Sequence, residues 1–178
     1  MRCAKFQDMS TTRALISVEE YLTTVYESDC DYVDGEVLER NMGESDHSWL
    51  QGALIIFLGS RRAEWNITVL PEMRVQVAKN RFRVPDICVV LGGRPRERIL
   101  TTPPFLCIEI LSSEDRWTRV EERINDFLAM GVAYVWVIDP ATRQTYVATA
   151  AEGLRESKDG ILRTADPSFE VSIPELYS

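Results

Sequence analysis

Three carboxylates stand where a simple apolar core would not put them. Glu109 lies in Leu106-Cys107-Ile108-Glu109-Ile110-Leu111, and Asp86 follows Pro85 and leads into Ile87-Cys88-Val89-Val90-Leu91. Glu36 follows Asp34-Gly35, a pair that marks a turn or bulge in the strand pattern from Tyr32 to Glu39. A carboxylate among apolar neighbours is costly unless it is paired, bound to a metal or turned into a polar cleft. Acids that share one cleft repel each other, and their pKa values rise until a divalent cation compensates the charge. Oxygen ligands favour Mg2+ or Mn2+ over zinc.

These acids need elements to hold them. Ser17-Val18-Glu19-Glu20 has the form of a capping box, with Val18, Tyr21, Leu22 and Val25 at helical spacing, so a first helix is expected to end near Glu27. Ser45 or Asp46 is placed to cap a second helix carrying Leu50, Leu54, Phe57 and Leu58. The runs 67–77 and 82–91 are rich in β-branched residues and joined by Ala78-Lys79-Asn80-Arg81, which predicts a hairpin with Pro85 at a bend or strand start. A strand over 105–111 leads into a helix over 114–130 that stops at Gly131. Strands over 132–138 and 144–149 follow, with a last hairpin at Asp159-Gly160 and a short strand plus helical turn over 169–177. Asp139-Pro140 reads as a turn, and Trp117, Trp136 and Phe57 as core residues.

The chain has 178 residues, 45% hydrophobic and 27% charged, the composition of a single folded domain, expected from residue 17 to 178 behind a flexible segment 1–16. No apolar run approaches the roughly 20 residues of a membrane span, and no secretory signal opens the chain, so a cytoplasmic address is expected. Cys3, Cys30, Cys88 and Cys107 form no Cys-x-x-Cys pair, which excludes zinc-ribbon and thioredoxin-type sites; Cys88 and Cys107 read as small buried hydrophobes. The net charge of −8 argues against a protein that coats nucleic acid through global positive charge. Yet residues 47–123 hold 12 basic against 9 acidic side chains, and nearly all the basic ones are Arg.

Taken in order, Asp34-Gly35-Glu36, His47, Val84-Pro85-Asp86, Ile108-Glu109-Ile110-Leu111-Ser112, a helix ending in Gly131-Val132, and Tyr134-Val135-Trp136-Val137-Ile138-Asp139-Pro140 resemble the Uma-type restriction endonucleases of the PD-(D/E)xK nuclease superfamily. The resemblance runs from Ser17 to Tyr177. It implies an α/β fold of the restriction endonuclease-like kind, a mixed central sheet flanked by helices. It further implies that Glu36, Asp86 and Glu109 converge on Mg2+ or Mn2+, with the backbone carbonyl of Ile110 as an added ligand and DNA as substrate. His47 falls at the family's histidine position. Phosphodiester hydrolysis needs an activated water, neutralised phosphoryl oxygens and help for the leaving alkoxide, and carboxylate-held cations supply all three.

The sequence departs from the superfamily at its lysine. The position two residues after Glu109 is Leu111, and the alternative position on the following helix, four residues before Phe127, is Arg123. Arg stays protonated, so Arg123 can stabilise negative charge but cannot act as a general base. Arg116, Arg119 and Arg123 form a helical stripe suited to phosphate or to solvent. Arg61-Arg62, Arg81 with Arg83, and Arg94-Arg96-Arg98 are candidate backbone contacts for nucleic acid. Two other readings follow from Arg at the lysine position: a catalytically weak or inactive nucleic-acid-binding module, and a homo-oligomeric domain whose acids pair only with arginines. An exposed sheet edge near residues 67–91 makes a homodimer a further expectation.

Overall fold

The computed structural model describes residues 15–26, 29–40 and 44–177; the lead-in expected over 1–16 lies almost wholly outside the described residues. In chain order the elements are α1 (Val18–Thr23), β1 (Cys30–Val33), β2 (Glu36–Glu39), α2 (Ser45–Ser60), β3 (Ile67–Pro71), β4 (Val75–Ala78), β5 (Arg81–Arg83), β6 (Ile87–Leu91), β7 (Leu106–Ile110), α3 (Trp117–Met130), β8 (Tyr134–Ile138), β9 (Thr145–Thr149), β10 (Gly153–Glu156), β11 (Ile161–Arg163), β12 (Glu170–Ser172) and α4 (Ile173–Leu176). A six-stranded mixed sheet runs β10-β9-β8-β7-β6-β3, a four-stranded sheet runs β2-β1-β5-β4, and β11 pairs with β12. Within the large sheet only β7 and β8 are parallel, and α3 is the crossover between them.

Local signals act as the residues dictate at several ends. The Ser17 hydroxyl accepts from the Glu20 N–H at 3.1 Å, although α1 stops at Thr23, short of Glu27, which lies outside the described residues. Gly131 takes φ 106, which lets the Val132 N–H reach back to the Phe127 carbonyl and close α3. Other ends differ from expectation. Asp34 and Gly35 both have positive φ (50 and 104), the geometry of a two-residue hairpin, so the stretch 32–39 is the β1-β2 hairpin rather than one strand. Glu44 occupies the N-cap of α2 without a side-chain cap bond, and α3 begins at Trp117, not Glu114.

The predicted hairpin of residues 67–91 forms, but each arm is cut in two and changes sheet. β3 pairs with β6 in the large sheet, while β4 pairs with β5 in the small one. The crossing is made at Glu72, held at φ 49 with its N–H on the Asp86 carbonyl, and at Val84-Pro85 on the other arm. Asp159-Gly160 turns the chain between β10 and β11, but these strands pair with β9 and β12 instead of each other.

Strand alternation sorts the core into two layers. Ile87 and Val89 of β6 and Leu106, Ile108 and Ile110 of β7 pack against Leu50, Leu54 and Leu58 of α2, with Trp136 and Ile138. Cys88 and Cys107 point the other way and meet Val120, Ile124 and Phe127 of α3, buried as expected. Trp136 is fully buried, whereas Trp117 is 39% exposed and not a core residue. Truncating a fully buried leucine such as Leu54 in this arrangement costs about 2–5 kcal/mol. No helix among the described residues is long and apolar enough to cross a membrane.

Candidate active site

The alternation that buries Cys88 and Cys107 on the α3 face sends Asp86 and Glu109 to that face as well. The β6-β7 register sets Ile87 opposite Ile108, so one step beyond the ladder Asp86 comes level with Glu109. Both are buried, at 2% and 3% exposure. The small sheet contributes in the same way. Tyr32 and Phe82 turn to an aromatic cluster with Tyr21, which sends Asp31 and Arg83 to the opposite face, toward α3. A cavity of about 80 Å³, lined by Asp31, Arg40, His47, Arg83, Asp86, Glu109 and Arg123 among others, lies where the two sheets and α3 meet. It has room for a hydrated ion or a few waters.

Each carboxylate has its own surroundings. Asp86 Oδ2 accepts the Ile110 N–H at 2.7 Å, while Oδ1 is paired with the Arg40 guanidinium and lies 3.3 Å from His47 Nε2. Gln51, one turn after His47 on α2, donates to the Asp86 carbonyl at 3.1 Å. Glu109 Oε2 is 2.7 Å from Arg123 Nη2, and Oε1 is buried with no hydrogen-bond partner among the described residues. Arg123 Nη2 also donates to the Val84 carbonyl at 3.0 Å, and its Nε lies 3.7 Å from Asp31. Asp31 accepts the Val84 N–H at 2.9 Å and Arg83 at 3.0 Å, and Arg83 in turn meets Asp126 of α3.

The electrostatics of the two acids diverge. Burial works to raise the Asp86 carboxyl, but the His47 hydrogen bond and the Arg40 charge outweigh it and hold it at about 2, below its ordinary 3.8. Burial dominates at Glu109 and pushes it from 4.5 up to about 8; Arg123 opposes this, and the charge of Asp86 adds to it. Arg123 is held charged, its own burial overcome by Glu109, Asp31 and Asp86. The two ends of this pair thus pull in different directions. Among the described residues Glu109 Oε1 and Arg123 Nε are both buried without a hydrogen-bond partner, but Arg123 has its charge balanced by three carboxylates, whereas Glu109 is set chiefly by burial.

The structure brings together Asp86, Glu109, His47, Arg123 and the Ile110 backbone. It does not bring Glu36. That residue is exposed at the turn end of β2, opposite Val33, while the cavity lies at the other end of the strand, by Arg40. Four residues of extended chain, roughly 13 Å, separate them. The acid that reaches the cavity from this hairpin is Asp31. Its signal was present in the sequence: a carboxylate between Cys30 and Tyr32 in a strand is as anomalous as Glu109. Arg40 and Asp126 carry no such signal, and Arg83, expected with Arg81 to contact a nucleic-acid backbone, is instead 3% exposed and paired with Asp31 and Asp126. Arg119 lines the cavity and is exposed, and Arg116 is exposed on the helix surface. Asp139 makes the turn expected of it, its side chain accepting from the Ala141 and Thr142 N–H groups. Among the described residues no group of three or more His, Cys, Asp or Glu side chains is arranged to hold a metal ion.

With the geometry in hand, comparison with solved structures is informative. The chain is similar to the crystal structure of a "putative nuclease belonging to DUF820" from Anabaena variabilis, with a TM-score of 0.80 over 91% of this chain and 97% of that one. At 24% identity the likeness is one of fold, and it defines the class: a mixed α/β protein of the nuclease fold. The family model Uma2, described as "Putative restriction endonuclease", matches residues 18–176, and the chain belongs to that family. Comparison with curated proteins finds no match.

Proposed function

We propose that this protein is an endonuclease that hydrolyses DNA phosphodiester bonds with Mg2+ or Mn2+. The observation that carries the reading is the approach of Asp86 and Glu109, from neighbouring strands, to one cavity beside Arg123, with Glu109 Oε1 buried and without a hydrogen-bond partner among the described residues. The donor set fits the ion. Mg2+ is held by one or two carboxylates and keeps waters and substrate oxygens for the rest, so Asp86, Glu109 and the Ile110 carbonyl suffice without a third acid. When bound, such a cation lowers the pKa of water and neutralises phosphoryl oxygens.

The chain's own residues supply the remaining functions. The Ile110 N–H fixes one oxygen of Asp86, Arg40 and His47 meet the other, and Gln51 holds the Asp86 backbone carbonyl from α2. Arg123, anchored by the Val84 carbonyl and Asp31, stabilises negative charge as it develops and takes up no proton. Arg119, exposed at the cavity, offers a phosphate contact. A cytoplasmic location goes with this reading. The test is incubation of purified protein with DNA and Mg2+ or Mn2+, beside Asp86→Asn and Glu109→Gln. Cleavage lost in both variants supports the reading; equal cleavage by all three proteins points to a contaminant and sinks it.

One observation favours a second reading, a catalytically weak or inactive nucleic-acid-binding module. Arg40 and Arg123 already occupy an oxygen of each carboxylate. Arg123→Lys separates the two readings: cleavage that appears only in this variant favours a decayed site.

A further inference from the structure

Asp86 and Glu109 both line the cavity, and each has one oxygen on a single donor. Asp86 Oδ2 is taken by the Ile110 N–H and Glu109 Oε2 by Arg123. The remaining pair is Asp86 Oδ1 and Glu109 Oε1. The second of these is empty-handed among the described residues, while the first holds Arg40 and lies 3.3 Å from His47 Nε2. Arg40 stands just past the end of β2, 15% exposed, and among the described residues Asp86 is the acceptor its guanidinium meets. Arg123, by contrast, is tied to a backbone carbonyl and to two carboxylates from different elements.

Asp86 Oδ2 is already fixed by the Ile110 N–H, so a divalent cation that takes Asp86 as a ligand must approach Oδ1, the oxygen that Arg40 holds. Two positive charges on one carboxylate oxygen in a poorly solvated space repel strongly, and the repulsion is relieved when the guanidinium withdraws. Arg83 and Arg123 each meet partners from several elements, whereas Arg40 meets Asp86 alone among the described residues. We propose that Arg40 is the resident counter-ion of the cavity, occupying Asp86 Oδ1 until a divalent cation displaces it. This rests on the metal-binding reading above. Arg40 then acts as an internal competitor that sets the cation concentration the protein needs, and its freed guanidinium is left at the cavity mouth.

The experiment is calorimetric titration of the full chain with MnCl2 at neutral pH, comparing wild type, Arg40→Met and Asp86→Asn. Arg40→Met keeps the aliphatic stem and removes the charge. The expected result is binding in wild type, none in Asp86→Asn, and a dissociation constant about tenfold lower in Arg40→Met. Unchanged or weaker binding by Arg40→Met, with the Asp86→Asn loss intact, overturns the competitor role and leaves the metal reading standing. Absence of binding in both wild type and Arg40→Met overturns both. Should Arg40→Met fail to fold, the same point is read in wild type from the NMR signal of the Arg40 Nε–H during addition of MgCl2. A shift that saturates with the binding isotherm is expected, and a signal that stays in place overturns the proposal.

Discussion

Asp86 and Glu109 occupy neighbouring strands, face the same cavity and are almost equally buried, yet their surroundings drive them apart. Asp86 is met by a backbone N–H, a histidine and a guanidinium and is held as an anion. Glu109 has one guanidinium on one oxygen and, among the described residues, no hydrogen-bond partner on the other, and burial raises it to about 8. The difference teaches that burial alone does not decide ionisation; the number of donors supplied to each oxygen does. It also separates two jobs. Asp86 is part of the protein's framework as well as of the site, whereas Glu109 is driven by burial to keep its proton near neutral pH.

The comparison is broken most severely at activity. Asp86→Asn and Glu109→Gln should each lower DNA cleavage in Mg2+ by about a thousandfold, read from initial rates on a plasmid substrate. Stability then distinguishes them. Asp86→Asn leaves Arg40 without its carboxylate and should cost about 3 kcal/mol in denaturant unfolding, as should Asp31→Asn, which strips Arg83 of a buried partner. Glu109→Gln removes a buried, poorly compensated acid and should be neutral or stabilising in chelator. A large loss of stability in Glu109→Gln would show that its pair with Arg123 is structural.

The pH dependence of unfolding in chelator sharpens the same contrast. Glu109 has a folded pKa above its ordinary 4.5, so as pH rises from 4.5 toward 8 the unfolded chain gives up a proton that the folded chain retains, and stability falls across that window. Asp86 has a folded pKa below its ordinary 3.8, so its stabilisation is present above 3.8 and is lost as pH falls through about 2. Glu109→Gln should flatten the neutral slope, and Asp86→Asn should remove part of the acid limb. Melting temperatures across the pH range, measured for the three proteins, check both signs.

The positions of the acids in strands were legible because a carboxylate inside an apolar run has few explanations. Glu109 and Asp86 stand out in this way, and so does Asp31 between Cys30 and Tyr32, the acid that takes the place expected of Glu36. Glu36 was favoured for its place beside Asp34-Gly35, but the turn made by those residues reverses the chain and leaves Glu36 at the wrong end of β2. The elements themselves were mostly legible, down to the Gly131 stop. What periodicity could not carry was sheet membership: 67–77 reads as one strand, and only the partner of each half shows that the chain changes sheet at Glu72. Arg40 and Arg83 were illegible for the same reason, since an arginine in a strand or at its end acquires a role only from what the fold sets opposite it.

The smallest effect is expected on the solvent side of the hairpin that carries Asp31. Asp31–Arg83 and Asp34–Arg81 both join the β1-β2 hairpin to β5, and they differ in exposure. Arg83 and Asp31 are 3% and 5% exposed, whereas Arg81 and Asp34 are 38% and 56% exposed. Water and salt screen the outer pair, so its worth is at most about 1 kcal/mol, against about 3 for breaking the inner one. Asp34 also sits at φ 50, a conformation that Asn tolerates and Ala does not. Asp34→Asn therefore removes the charge without straining the turn. Its destabilisation should stay within about 1 kcal/mol and shrink in high salt, while that of Asp31→Asn should be larger and nearly independent of salt. A salt-insensitive loss in Asp34→Asn would mean that the turn side chain, not the ion pair, holds β1 and β2 in register.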